Sequence, residues 1–539
     1  MKKKTITAAA VLLAAVIIAA GFFLIKNTDE GKDIPPAEDP SGSIVDVNNI
    51  ASDKTVIDKN TAYQTIKGFG ASAFSGIPQT DSEEVLHDVL TLLYSEKNGI
   101  GLDIYRYYLG AGSENDTALP ESIRTQSFMT DEFTLDFAKD TLSQKCLEIA
   151  KEKAGDGLQV VLFASSPPVQ LTKNGKAYPS PLNENSLTNE SNLTPENYEA
   201  FADYLYSVAQ YFTEEGYRIT GVSPADEPQY SHRAVYNSEN AVSAKKEGCY
   251  YSPEELRDML LTIVKKFDGS TLHKSGVRIN MFESGEAEGE NSVSAEYLEV
   301  LLGTDGTTGK ENKALRKYFD TVTFHSYWSS TAEKQATAEL FRNKYPSYSI
   351  ACTRYCQMTN DGNSGVLEYI VNEGGETKGL SIEYGLAMAN IIMTDLTALN
   401  ATQWNWHNAV SYENSPDGLI YLNLEEPSEP EMSKRLWCLG NFSKFIKEGA
   451  VRLAFSTGNE EISGVCFMNP DGETVCIYLN MTEAETTVDI SEYSNEKTAV
   501  FVTDAERNLK KENLINSGIL SLPEMSLTTV IFPSQEVKS

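Results

Sequence analysis

The chain has 539 residues, with Lys+Arg 45 against Asp+Glu 77 and a net charge of −32. That length exceeds one compact core and suits a large barrel plus an accessory domain, so fibre, tail and small-scaffold readings are excluded. A field of that sign repels phosphate backbones, which excludes nucleic acid as a partner, while 41% hydrophobic and 10% aromatic residues describe a folded chain and not a disordered acidic one.

Lys2, Lys3 and Lys4 precede an uncharged stretch from Thr5 to Ile25, long enough to approach the thickness of a bilayer core. Positive charge before it, and Asp29, Glu30 and Asp33 after it, orient the amino end inside and everything else outside. Residues 1–26 therefore read as a signal peptide or signal anchor, and residues 27–47 as a polar, disordered tether. Small residues Ala19, Ala20 and Gly21 offer a cleavage point, but the apolar run continues to Ile25 and favours an uncleaved anchor. The bulk of the protein is expected outside the cell, secreted or tethered, with membrane contact only through this span.

Residues 48–63 are extended and expected to add strands to a sandwich. From there to residue 434, β-branched or aromatic runs recur eight times, each ending in polar or small residues: Thr65 to Ser72, Leu102 to Gly110, Leu158 to Ser166, Ile219 to Pro228, Val277 to Ser284, Thr321 to Tyr327, Tyr348 to Cys356 and Ala401 to Ala409. Helical patterns lie between them, including Glu84 to Tyr94, Asp131 to Lys153, Pro195 to Glu215, Pro253 to Phe267, Ser294 to Leu302 and Gly385 to Leu399. Thr194 before Pro195 and Ser252 before Pro253 have cap chemistry. The fold class is thus α/β, a (β/α)8 TIM barrel over residues 64–434. Residues 435–539 change to alternating, turn-punctuated strands and predict a side β-sandwich shared with the segment before the barrel.

Seven Cys are few for this length and odd in number, so they define no disulfide framework. Cys466 and Cys476 flank the turn Asn469-Pro470-Asp471-Gly472 and can face each other across a hairpin, although buried, unpaired thiols are the default expectation. Cys/His spacing resembles no zinc site and His number five, so no metal is expected.

In a barrel of this kind the carboxyl ends of the strands carry the site. The fourth ends in Asp226-Glu227-Pro228, where Glu227 is placed as a general acid/base or is one more rim charge on an acidic protein. The fifth ends near Glu283, the sixth in His325-Ser326-Tyr327-Trp328, and the eighth in Gln403-Trp404-Asn405-Trp406-His407. Two of only four Trp on one strand end suit stacking on sugar rings, or packing between barrel and helices.

Nine motifs in order then carry a resemblance: Gly68-Phe69-Gly70-Ala71-Ser72; Gly99-Ile100-Gly101-Leu102 continuing to Arg106 and Gly110-Ala111-Gly112-Ser113; Ser166-Pro167-Pro168 with Thr172-Lys173-Asn174-Gly175; Ser223-Pro224 with Glu227-Pro228-Gln229; Glu247-Gly248-Cys249; His325 to Trp328; Trp404, Trp406 and Ala409; Asp417 to Tyr421; and Asn441-Phe442-Ser443 with Phe445-Ile446. Together they resemble glycoside hydrolase family 30, particularly its branch related to endo-β-1,6-galactanases and xylan-active enzymes, from about Tyr63 to the carboxyl end. The resemblance implies a barrel with a side β-sandwich built from both chain ends, a polysaccharide or oligosaccharide partner, and no cofactor. It implies the acid/base at Glu227 and a sugar-hydroxyl contact at the position of Asp226; with the strand-end reading, Arg106, His325, Tyr327, Trp328, Trp404, Trp406 and Glu283 are the further candidate sugar contacts.

It also exposes departures. Where the family has Ser-Glu-Tyr-Cys at the seventh strand, this chain has Thr353-Arg354-Tyr355-Cys356, so the nucleophile position is Arg354. The family Asn before the acid/base is Asp226, an Asn on the second strand is Tyr108, and the aromatic after Ser-Pro-Pro is Gln170. A retaining glycosidase needs two carboxyls about 5–5.5 Å apart. A cation about 4 Å from the developing positive charge costs on the order of 4 kcal/mol at an effective dielectric of 20, roughly a thousandfold in rate. Glu383 mimics a nucleophile motif but falls where the family begins its seventh helix, and an inverting route through Asp226 or Glu283 is conceivable on paper. Like-charge repulsion between Asp226 and Glu227 is a further way to raise one carboxyl's pKa. Two functions follow: an exported β-glycan hydrolase acting through Glu227, or a non-catalytic carbohydrate-binding protein on the same scaffold.

Overall fold

The computed structural model describes residues 54–72, 80, 82–182, 188–303, 312–356, 378–411, 417–423, 430–513 and 518–534. The expected amino-terminal span and tether lie outside the described residues. Among the described residues, no helix is long and apolar enough to cross a membrane.

Eight parallel strand positions form a ring: Gly68–Ser72, Ile104–Tyr108, Gln159–Phe163, Arg218–Ser223, a fifth split into Arg278–Ile279 and Met281–Ser284, then Thr321–Phe324, Ser349–Tyr355 and Ala401–Trp406. The eighth returns to the first through Gln403 opposite Gly68 and Trp406 opposite Ala71. Each half of the fifth strand serves one neighbour, Gly221 lying opposite Arg278 and Phe324 opposite Ser284. At the break, Asn280 N–H donates to the Val222 carbonyl at 2.8 Å and its Nδ2 to Ser223 Oγ at 3.0 Å, so the interrupted ladder keeps its polar groups paired. The first strand sits tightly because a Cβ at Gly70 would lie 2.7 Å from the Ile104 carbonyl oxygen.

Amphipathic helices clothe the ring. The helix Pro253–Phe267 starts with a capping box between Ser252 and Glu255 and Pro at its first position, as its sequence predicts. The helix expected from Asp131 begins only at Thr141. Residues 131–140 hold left-handed Phe133 (φ 60°) and Asp140 (φ 52°), and Thr130 N–H closes a tight turn onto the Thr134 carbonyl, which helical dihedrals do not allow.

Both chain ends build the sandwich. Val56–Thr65 pairs antiparallel with Val451–Ser456, and the sheet continues through Ser463–Met468, Thr474–Asn480, Ser526–Phe532, Ala499–Thr503 and Lys510–Glu512. Thr486–Asp489 and Ile519–Leu522 form a second, two-stranded sheet. The period of two divides the side chains. Val465, Phe467, Val475 and Ile477 join the barrel core, whereas Cys466, Cys476 and Tyr478 face a separate core with Val488, Leu520 and Leu522 of the small sheet.

Candidate active site

Backbone strain marks the carboxyl ends of the strands. Glu227 (φ 49°), Phe282 (φ 90°), Glu283 (φ 42°), Ser326 (φ 54°) and Trp328 (φ 51°) all hold positive φ without being glycine, a conformation worth of order 1–3 kcal/mol each. The surroundings must therefore fix them: Glu227 N–H donates to the Glu283 carbonyl at 3.0 Å, and Glu283 N–H to Thr323 Oγ1 at 2.9 Å.

These turns bring three carboxylates and three cations together. Asp226 is fully buried, with Arg354 Nη1 at 3.1 and 3.0 Å from its two oxygens, Lys246 Nζ at 3.1 Å and Ser165 Oγ at 3.2 Å. Glu227 takes Lys246 Nζ at 2.6 Å and His325 Nδ1 at 3.0 Å, and Arg354 Nη1 lies 4.0 Å away. Glu283, also fully buried, receives Ser223 Oγ at 2.5 Å, the Thr353 hydroxyl, His325 Nε2 at 3.2 Å and Arg106 Nη2 at 3.0 Å. Arg106 in turn lies 3.8 Å over the Phe163 ring.

Electrostatics follow from these distances. Burial pushes the Glu227 carboxyl up, but Lys246, Arg354 and His325 overcome it and hold it well below the usual carboxylate range. Asp226 is lowered in the same way by Lys246 and Arg354. Cations, not like-charge repulsion, decide both groups. Burial likewise opposes ionisation of Glu283, yet Arg106 and His325 bring it down to about 2. Lys246 and Arg354 are correspondingly raised against their own desolvation. Asp226, Glu227 and His325 also place one ligand atom each within 4.8 Å of one another. The ammonium and guanidinium already hold those carboxylate oxygens, so this donor set does not fit a metal.

Several sequence expectations need correction. Trp404 and Trp406 are 0% and 1% exposed and give no sugar floor. Trp404 Nε1–H donates to Asp395 of the helix Ile382–Thr397 at 2.9 Å, Trp406 Nε1–H donates to the Asp417 carbonyl at 2.6 Å, and Arg435 lies over the Trp406 ring. Their strand face looks outward to the helices. Asn405 and His407 fall on the opposite face by the period of two, and burial together with Arg354, Arg106 and Lys246 holds the His407 imidazole well below its usual pKa. Tyr327 is 1% exposed, walled by His325, Trp328 and Tyr355, and offers no open face. Arg106 and Glu283 are paired at 3.0 Å with neither side chain exposed. Trp328, at 37% exposure, keeps a face for stacking. Glu383 sits in the first turn of its helix.

Lys246 was not legible as a site residue. It precedes the Glu247-Gly248-Cys249 motif, and Glu247 below it ties the loop down by accepting from Tyr108 Oη at 2.6 Å and Thr125 Oγ1 at 2.8 Å. The departure at Tyr108 therefore anchors the segment that delivers Lys246.

Residues 52–421 match the signature described as O-glycosyl hydrolase family 30, and residues 449–530 match the glycosyl hydrolase family 30 beta sandwich domain. The chain belongs to glycoside hydrolase family 30. Among curated relatives it is similar to lysosomal acid glucosylceramidase of Mus musculus, at 21% identity over 80% of this chain and 78% of that one. Among solved structures it resembles a conserved exported protein of Bacteroides fragilis (21% identity, 89% of this chain, 100% of that one, TM-score 0.71) and the catalytic domain of xylanase C of Talaromyces cellulolyticus (20%, 89%, 100%, TM-score 0.62). At such identities the structures establish the shared fold.

The carboxylates around Arg354 are closed off. Asp226 and Glu283 are fully buried with their oxygens engaged, leaving no oxygen to activate a water, and their depressed pKa values make them weak bases. Glu227 is held ionised, the wrong state for protonating a leaving group.

Proposed function

We propose that the protein is an exported, glycan-binding member of family 30 whose cleft takes a β-linked polysaccharide or oligosaccharide and does not turn it over by the retaining route. One observation carries this: Arg354, which the sequence resemblance sets at the nucleophile position, stands with its guanidinium 3.0 Å from Asp226 and 4.0 Å from Glu227. In place of an attacking carboxylate and a proton donor, the strand ends present the part-exposed Lys246 ammonium and Arg354 guanidinium, held by buried carboxylates and able to donate to sugar hydroxyls, with Trp328 at the rim for stacking. The xylanase and glucosylceramidase names of relatives support a glycan or glycoside as ligand. Export is proposed on the charge order around residues 2–33.

The test offers β-1,6-galactan, glucuronoxylan and β-glucan to the full chain and measures binding alongside reducing-end release. Binding without release is expected. Robust release that disappears in Glu227→Gln would overturn the proposal and make the protein a working hydrolase through Glu227. Absence of both binding and release would remove the glycan reading itself.

A further inference from the structure

The sandwich core holds a feature that lies outside the cleft. Cys466 and Cys476 stand directly opposite each other on the antiparallel strands Ser463–Met468 and Thr474–Asn480, in a run of six unbroken cross-strand partners. Both are 0% exposed, and their sulfurs are 3.2 Å apart. Other cysteines contact oxygen: Cys249 the Ser191 hydroxyl at 3.7 Å, Cys352 the His325 carbonyl at 3.8 Å, and Cys356 the Tyr327 hydroxyl at 3.5 Å.

We propose that Cys466 and Cys476 are joined as an intrachain disulfide in the folded protein. Directly opposed residues of an antiparallel pair have Cα atoms about 4.5–5.5 Å apart, inside the window of about 4.4–6.8 Å that a disulfide spans, and sulfurs already 3.2 Å apart have about 1 Å to close. The register has no shift between these strands to put the pair out of reach. The surrounding core, with Leu453, Val488, Val500, Leu520 and Val530, is apolar and gives two thiols little else to bond.

The chemistry balances through exchange. One thiolate attacks a low-molecular-weight or protein disulfide and displaces one thiol; the second thiolate attacks the resulting mixed disulfide and displaces the other. The cysteine pair gives up two electrons and two protons, and the oxidising disulfide becomes two thiols. Because both sulfurs are sealed in the folded sheet, exchange takes place before the sandwich closes, and reductants do not reach the finished bond. The bond staples the sandwich on the face turned away from the barrel, so it bears on the stability of that sheet and not on the cleft.

Glutathione disulfide with glutathione is the probe. The full chain is refolded in that couple, freed of it, denatured without reductant, alkylated and mapped by mass spectrometry. The peptides bearing Cys466 and Cys476 should be recovered unalkylated, joined and lighter by two hydrogens, while the other five cysteines take the label. Complete alkylation of Cys466 and Cys476 would overturn the proposal. A Cys466→Ala/Cys476→Ala protein should melt at one temperature whether refolded with or without reductant, unlike the parent. An equal effect of reductant on both proteins would place it at other thiols and contradict the inference. If the variant does not fold, alkylation of the parent still decides.

Discussion

Exchanging Arg354 and Asp226 tests the reading of the site most directly. Arg354→Glu alone removes one of the two cations that hold a fully buried carboxylate, Lys246 remaining at 3.1 Å, at a cost below the roughly 3–5 kcal/mol of losing a sole partner. It also sets a second carboxylate against Asp226, worth about another 4 kcal/mol at 4 Å and an effective dielectric of 20 unless one of them takes up a proton. Asp226→Asn alone is milder, because Arg354 keeps Glu227 at 4.0 Å. In the Asp226→Asn/Arg354→Glu double variant the attraction and the repulsion between positions 226 and 354 vanish together, while the effect on Glu227 is common to both arms that change position 354, so a double-mutant cycle in urea unfolding should return a coupling of about 3 kcal/mol or more. The same proteins are assayed on an aryl β-glycoside. Removing a cation about 4 Å from the developing positive charge lifts a penalty of about 4 kcal/mol, so the double variant should exceed the parent by about a thousandfold. Stability effects that add to within about 0.5 kcal/mol, with no gain in rate, would refute the reasoning.

Glu283, depressed from an ordinary 4.5 to about 2, contributes about 3 kcal/mol of stability that is present above 4.5 and lost as pH falls through 2. The unfolding free energy should therefore fall by that amount more between about pH 6 and about pH 2 in the parent than in Glu283→Gln. Lys246→Met leaves Asp226 and Glu227 with one cation fewer, so the acid limb of a glycan-binding pH profile should move upward; an unmoved limb would show that Lys246 does not set it. Trp328→Ala should weaken glycan affinity about 2–10-fold in calorimetry with an unchanged melting temperature. Trp404→Phe should do the reverse, losing about 1–3 kcal/mol of stability by depriving Asp395 of the indole donor while affinity holds.

The barrel was legible because each strand is a short apolar run ending in polar residues, and the ring forms at all eight such runs. The helix expected from Asp131 was mistaken because apolar spacing continues through Leu135 and Phe137 while left-handed Phe133 and Asp140 break the backbone, and dihedrals leave no mark on periodicity. Trp404 and Trp406 were misassigned for a related reason: a strand-end position does not say which face a side chain takes, and here the indoles took the helix side. Lys246 was hidden because it lies on a long connection after the fourth strand, where no period links residue number to direction. The departures at positions 354 and 226 were each visible in the sequence, but their contact was not, since 128 residues separate them.

That contact changes what the two departures mean. Three carboxylates, Asp226, Glu227 and Glu283, face three cations, Arg106, Lys246 and Arg354, so a protein of net charge −32 keeps its cleft close to neutral. An arginine at 354 opposite the family's uncharged Asn would have lacked this buried partner; the carboxylate at 226 supplies it. Yet a buried ion pair is costly to desolvate, and well-packed apolar residues in its place are often neutral or stabilising by about 1–4 kcal/mol. Stability alone therefore does not account for charges at both positions; on the proposed function, the buried Asp226 carboxylate serves to fix the part-exposed Arg354 guanidinium for donation to sugar hydroxyls. Asp226→Leu/Arg354→Met separates the two explanations. It should fold with stability equal to or above that of the parent in urea and lose glycan affinity in calorimetry. A variant that is as stable as the parent and binds as tightly would show that the pair serves neither purpose in the cleft, and the contact with the sugar would have to be sought at Lys246 and Trp328.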